Sequence, residues 1–245
     1  MATLRTCPFC TRLDQPETME HVWPDWLGRE VLKGRSAPRL AQSVGSREFK
    51  PKQVSSLTLA VPLCLACNGG WLKALEDNVV PFLRAMACDP GSVTMVDHSR
   101  RVMLTQWCLA RAMVYDLRDA AVFFTDAERA EFASFGALPA NTHIWMGRYD
   151  GTRPIHAQPE KPRPKGAEGL PTAYSLTWTA GHFLMQLAAW RVGSGSSPRV
   201  APHDSSRLWQ LAPALPSTEI WRWPAQEISD DELVALESRF WRLPA

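Results

Sequence analysis

Two pairs of closely spaced cysteines constrain the fold of this 245-residue chain more than any other sequence feature. Cys7 and Cys10 form the pair CPFC, and Cys64 and Cys67 form the pair CLAC. Two intervening residues allow one short turn to direct both sulfurs of a pair at the same ion, and Zn²⁺ accepts four thiolates in tetrahedral geometry. The pairs therefore predict one structural zinc site, whose four sulfur ligands leave no open position for activating water.

A thiol redox role is the alternative interpretation of a CxxC pair. Such a pair ordinarily stands at the start of a helix in a thioredoxin-like βαβ unit, and the sequence around these pairs lacks that pattern. The gap between Cys10 and Cys64 exceeds the ~15 to 20 residues of a compact zinc ribbon, so the segment between the pairs must carry structure of its own. Cys88 and Cys108 have no paired partner and are expected to be small buried hydrophobic residues.

The overall composition, with 45% hydrophobic and 21% charged residues, is typical of a globular α+β protein. A net charge of +2 is too small to indicate a polyanion partner by itself. No stretch approaches the ~18 to 20 apolar residues needed to cross a bilayer, and the amino terminus lacks an apolar run of signal-peptide length. We therefore expect a cytoplasmic protein without a membrane partner, and the sequence leaves its oligomeric state open.

Two domains are predicted, a zinc-containing module over residues 1–88 and an α+β domain of unassigned role over residues 89–245. In the module, helices are predicted at WPDWLGREVL and after CNGGW, where Pro81 would kink or divide the second helix. A strand is predicted at SLTLAVPLC, leading into the second cysteine pair.

The second domain is predicted to combine helices with an antiparallel sheet. Helices are expected over 100–117, over DAERAEFASF between the Thr125 capping box and Gly136, and near the end of the chain with Ser229 as N-cap. The strands THIWMGRY and TRPIHAQ are expected to form a hairpin at Asp150 and Gly151. AYSLTWTAG and TEIWRWP are further predicted strands, whereas HFLMQLAAWRV fits either a strand or a helix.

Glu20 and His21 stand side by side in the stretch EHVWPDW, between the two cysteine pairs. Alone, they would be an exposed acid beside a partly packed histidine at the entrance to a helix. Asn68 directly follows the last cysteine in the sequence NGG, which alone would be a loop tolerant of left-handed backbone angles. A closed zinc site would fix the position of Asn68, so that its side-chain oxygen could ligate a second cation.

Together, CPFC, EHVWP and PLCLACNGGW resemble the HNH endonucleases, whose ββα-metal motif is often built around a treble-clef zinc site. The resemblance is confined to the first module. It implies that Glu20 and Asn68 ligate a divalent cation, Mg²⁺ or Mn²⁺, and that His21 is the general base in hydrolysis of DNA phosphodiester bonds. The structural zinc would be held by Cys7, Cys10, Cys64 and Cys67.

The residue types suit this chemistry. An imidazole can accept a proton from water near neutral pH, and carboxylate and amide oxygens suit a hard cation. Adjacent residues of a strand point to opposite faces, so Glu20 and His21 can serve one site only at a strand end or where the strand twists. The family's middle asparagine, which helps to orient the histidine, is missing here, and Ser56 and Thr58 are the nearest polar residues.

Phosphate contacts are expected from Lys73 and from the basic segment that follows His21, although a solvated loop is the alternative for that segment. The candidates in the segment are Arg29, Lys33, Arg35, Arg39, Arg47, Lys50 and Lys52. DNA is the expected partner. The alternative function is a non-catalytic zinc module that binds nucleic acid or protein, with Glu20 and His21 as structural residues.

Overall fold

The computed structural model describes residues 6–13, 15–32, 39–41, 53–55, 59–119, 121–162, 171–191, 197–198, 207–213, 220–238 and 241–242. The helices are α1 (Asp25–Leu32), α2 (Lys73–Cys88), α3 (His98–Asp116), α4 (Asp126–Phe135) and α5 (Asp230–Ser238). The strands are β1 (Glu17–His21), β2 (Arg39–Ala41), β3 (Gln53–Ser55), β4 (Ala60–Cys64), β5 (Thr94–Val96), β6 (Thr142–Tyr149), β7 (Ile155–Glu160), β8 (Ala173–Ala180), β9 (Phe183–Trp190), β10 (Ser197–Pro198), β11 (Trp209–Ala212), β12 (Trp221–Trp223), β13 (Glu227–Ile228) and β14 (Trp241–Arg242). The combination of helices with antiparallel sheets confirms the predicted mixed class.

Near the amino terminus, β1 and β4 form a two-stranded antiparallel sheet in which Glu17 pairs with Cys64 and His21 pairs with Ala60. β4 leads directly into a widened helical turn over Cys67–Leu72, and α2 continues from it. Gly70 departs from helical angles in this turn, with φ −98° and ψ −108°. The β1–β4 sheet therefore links the strand that ends at His21 to the strand that leads into the second cysteine pair.

The larger sheet has the order β11-β6-β9-β8-β7, and β13 pairs in parallel with β6. The predicted hairpin between THIWMGRY and TRPIHAQ is wrong, because β6 pairs with β9 and β7 pairs with β8. β8 and β9 are almost entirely buried and take the central positions, joined by a tight turn where Gly181 has φ +59°. Their apolar pairing outweighs the local turn signal at Asp150 and Gly151. The ambiguous segment HFLMQLAAWRV is thus a strand.

Several helix ends follow their predicted capping residues. Thr125 and Glu128 form a reciprocal capping box at α4, which ends at Gly136 with φ +66°. At α5, the Ser229 backbone N–H donates to Glu232 Oε2 at 2.9 Å. Pro81 lies inside α2, which continues through it to Cys88.

α3 is the central helix of the core, with all residues from Trp107 to Asp116 buried. It contacts α2 on one side and strands of the larger sheet on the other. Trp23, just after β1, stacks on Trp178 of β8 with ring centroids 6.2 Å apart, so buried residues of the predicted module and of the following domain form one continuous cluster. The boundary at residue 88 stays a prediction. Among the described helices, none is both long and apolar enough to cross a membrane.

Candidate functional site

The four paired cysteines come together, with the sulfurs of Cys7, Cys10, Cys64 and Cys67 all within 4.8 Å of one another. The Cys10 and Cys64 sulfurs are 3.7 Å apart, close to the ~3.8 Å that two thiolates each ~2.3 Å from a tetrahedral zinc would have. All but Cys10 are buried. The donor set and its spacing fit a structural Zn²⁺, and the described residues offer no comparable group of His, Cys, Asp and Glu elsewhere.

The two cysteine turns are held by backbone hydrogen bonds. In the first turn, the Thr11 N–H donates to the Cys7 carbonyl at 2.9 Å, and Thr11 has φ +57°. In the second, the Cys67 N–H donates to the Cys64 sulfur at 3.4 Å. Arg129 of α4 donates from Nε to the Pro8 carbonyl at 3.1 Å. The first turn is therefore anchored to a helix more than a hundred residues away.

The protein environment shifts the pKa values of the clustered cysteine thiols in different directions. Burial opposes ionisation of the Cys7 thiol, but backbone hydrogen bonds at Cys64, Cys10 and Phe9 outweigh it and lower the pKa to about 7. Burial raises the pKa values of Cys64 and Cys67. Because zinc binds thiolates, its binding to this cluster would release protons.

His21 is the last residue of β1, so the structure places it at a strand end, as the proposed site requires. Its Nδ1 lies 2.6 Å from Oδ1 of Asp25, the first residue of α1. The His21 side chain is 38% exposed and the Asp25 side chain is 70% exposed. Among the described residues, Nε2 of His21 has no hydrogen-bond partner. The imidazole is therefore held from one nitrogen and accessible at the other.

Glu20 makes a buried ion pair, because its Oε1 lies 2.6 Å from Nη2 of Arg111 on α3. The Arg111 side chain is 1% exposed and the Glu20 side chain 12% exposed. Nη1 of Arg111 also donates to the His21 carbonyl at 3.0 Å. Burial raises the pKa of nearby Glu76, the Arg111 charge opposes the rise, and the Glu20 carboxylate adds to it. The charges of Arg111 and Glu20 therefore act on Glu76 in opposite directions, whereas Arg111 makes its direct contacts with Glu20 and the His21 carbonyl.

Asn68 contacts β1 immediately before Glu20. Its Nδ2 donates to Thr18 Oγ1 at 2.8 Å and to the Met19 carbonyl at 3.3 Å. Both contacts engage the donor end of the amide, so Oδ1 is left for another partner. The turn that follows the second cysteine pair thus brings Asn68 to the strand that carries Glu20 and His21, although the three side chains contact different neighbours.

Of the predicted phosphate-binding residues, Arg29 is exposed in the last turn of α1. Lys73 starts α2, and its Nζ lies 2.5 Å from Oδ1 of Asp77, with both side chains more than half exposed. Lys33, Arg35, Arg47, Lys50 and Lys52 lie outside the described residues, as do Ser56 and Thr58, and only the backbone of Arg39 is described.

Arg111 was not singled out by the sequence analysis. It lies 90 residues beyond His21 in the chain, and no motif links the two. One signal was present, because Arg111 interrupts the apolar run LARAM within a predicted amphipathic helix. A charged residue on the buried side of a helix usually has a buried partner.

A scan against protein-family models matched no family, and comparisons with curated proteins and with solved structures found no match either. The resemblance to HNH endonucleases therefore rests on the motif residues alone.

We expect Arg111→Ala to lower the free energy of unfolding by about 3–5 kcal/mol, because it leaves the buried Glu20 carboxylate without its partner. Arg111→Lys should be intermediate, since an ammonium group cannot reproduce the fork that contacts both Glu20 and the His21 carbonyl. Arg118→Ala is the matched control, as Arg118 is partly exposed just beyond α3, and it should change stability by less than about 1 kcal/mol. Chemical denaturation measures all three, and equal losses for Arg111→Ala and Arg118→Ala would contradict the expectation.

Proposed function

We propose that the protein is a metal-dependent endonuclease of the HNH type that hydrolyses DNA phosphodiester bonds. The observation that carries the proposal is the position of His21 at the end of a strand paired with β4, next to Glu20 and on the strand that Asn68 contacts. In this proposal the cysteine cluster, the β1–β4 pair and α2 correspond to a treble-clef zinc site with a ββα-metal motif. The zinc would be structural.

Glu20 on β1 and Asn68 after the last cysteine fit a hard divalent cation by donor chemistry. Glu20 binds Arg111 through Oε1, and a carboxylate retains further acceptor positions on Oε2. Asn68 is oriented by its donor end, so its oxygen remains free to ligate. Glu20 and Asn68 would hold Mg²⁺ or Mn²⁺, which when bound supplies positive charge to the scissile phosphate and the departing oxygen.

His21 would act as the general base. Its accessible Nε2 accepts a proton from the attacking water, whose oxygen forms a bond to phosphorus. The bond from phosphorus to the leaving deoxyribose oxygen breaks, and solvent protonates that oxygen. Arg29 and Lys73 are the described residues proposed to contact phosphate, together with Lys33 and Arg35 in the segment beyond α1.

Nicking of supercoiled plasmid by the zinc-loaded protein tests the proposal. We expect nicked circles in Mg²⁺ or Mn²⁺ and none after chelation of the added cation. Asn68→Ala should raise the Mg²⁺ concentration for half-maximal activity about tenfold or more, which corresponds to a loss of about 1.4 kcal/mol in cation binding. Asn78→Ala, an exposed asparagine on α2, is the control and should leave that concentration unchanged.

The buried pair between Glu20 and Arg111 favours the second candidate, a non-catalytic zinc module that binds nucleic acid or protein, in which Glu20 would have a purely structural role. Tight binding of DNA without nicking in either cation would support that candidate and contradict the nuclease proposal. Nicking that requires the cation would exclude it.

A further inference from the structure

The contact between His21 and Asp25 determines where the imidazole proton resides. Asp25 Oδ1 lies 2.6 Å from His21 Nδ1, and an ionised carboxylate can only accept a hydrogen bond. The neutral imidazole must therefore carry its proton on Nδ1, which leaves the lone pair on Nε2. Nε2 is also the nitrogen without a hydrogen-bond partner among the described residues.

The positions of the two residues are set by the core. Between them, Val22, Trp23 and Pro24 are all buried. The Val22 N–H donates to the Leu59 carbonyl at 2.8 Å, and Trp23 packs between Trp178 and Tyr115. The end of β1 and the start of α1 are thus fixed relative to each other, although both side chains reach the surface.

The stability of the fold does not explain why His21 is paired with Asp25. With the two side chains 38% and 70% exposed, such an ion pair contributes little to folding. Its specific effect is on the imidazole, because a carboxylate on one ring nitrogen selects the tautomer and the ring orientation at the other.

We propose that Asp25 is a positioning residue that holds His21 in the Nδ1–H tautomer and so keeps Nε2 free to accept a proton from water. This inference rests on the proposed function, in which His21 is the base. Asp25 touches neither water nor phosphate in this role and acts only through the imidazole.

Long-range nitrogen–proton correlation NMR on the zinc-loaded protein, at a pH where the imidazole is neutral, reads the tautomer directly. We expect His21 to be mainly Nδ1–H in the wild type and mainly Nε2–H, the tautomer favoured by free histidine, in Asp25→Ala. A wild-type His21 that is mainly Nε2–H, or a tautomer unaffected by Asp25→Ala, would overturn the inference.

Kinetics provide a second readout. Asp25→Ala should lower kcat for plasmid nicking by about 10- to 100-fold, the usual loss when a group that fixes a histidine tautomer is removed, while KM for DNA changes little. Asp97→Ala is the matched control, because Asp97 is an exposed aspartate at the start of α3 that accepts from the Arg100 N–H. It should lose some thermal stability and keep full activity.

A kcat that falls equally in Asp25→Ala and Asp97→Ala would overturn the positioning role. The two proposals can fail separately. A wild-type protein that nicks no DNA would contradict the proposed function but not the tautomer inference. The NMR result on the same sample still decides whether Asp25 sets the tautomer.

Discussion

Replacing His21 with alanine is expected to lower the rate of plasmid nicking by about 10²- to 10⁴-fold, the range that a positioned general base contributes. The variant keeps Glu20 and Asn68, so cation binding should persist while proton transfer from water is lost. Because His21 is partly exposed at a strand end, the substitution should change stability by no more than about 1 kcal/mol.

His98→Ala is the control for this experiment, since His98 is an exposed histidine at the start of α3. Its rate should equal that of the wild type. Loss of nicking in His21→Ala purified in the same way would exclude a contaminating nuclease as the source of the activity. Zinc content and melting temperature should be the same in all three proteins. Equal nicking by His21→Ala and wild type would remove His21 from the mechanism.

The second large effect is expected for Cys64→Ser, which removes a buried cysteine sulfur at the end of β4. Structural zinc sites contribute apparent binding free energies of about 10–16 kcal/mol, comparable to or larger than the 5–15 kcal/mol stability typical of a whole domain. We therefore expect the bound zinc to fall from one per chain to near zero, with loss of the ordered β1–β4 region. Metal analysis and circular dichroism measure the two effects.

Cys108→Ala separates zinc loss from general destabilisation. Cys108 is fully buried on α3 and lies outside the sulfur cluster, so its truncation should cost about 1–3 kcal/mol through a small cavity and leave one zinc per chain. A wild-type protein that contains no tightly bound metal, or a Cys64→Ser variant that retains its zinc, would contradict the assignment of the cluster.

The cysteine cluster could be predicted from the sequence because its four members occur as two local pairs, and each pair fixes its own turn. The partners of Glu20 and His21 were not accessible in the same way. Arg111 reaches Glu20 only through the tertiary placement of α3, which leaves no spacing signature in the sequence. Asp25 is four residues from His21, yet their contact depends on the buried turn between them.

In the larger sheet, local sequence signals located strands but did not predict which strands pair. The turn residues Asp150 and Gly151 favour a local hairpin, and the strands on either side of them were correctly located. The choice of partner strand was decided instead by β8 and β9, whose long apolar segments pair with each other and occupy the middle of the sheet. Local propensity located these strands, whereas burial determined their order.

The contacts of Arg111 on α3 with the end of β1 have a practical consequence for protein engineering. A fragment ending at residue 88 would retain the four clustered cysteines, Glu20, His21 and Asn68. It would lack the Arg111 guanidinium paired with Glu20, the Trp178 indole stacked on Trp23 and the Arg129 side chain bonded to the first cysteine turn. Transplanting the first module onto another carrier would therefore require that carrier to supply a surface equivalent to α3 and its neighbours.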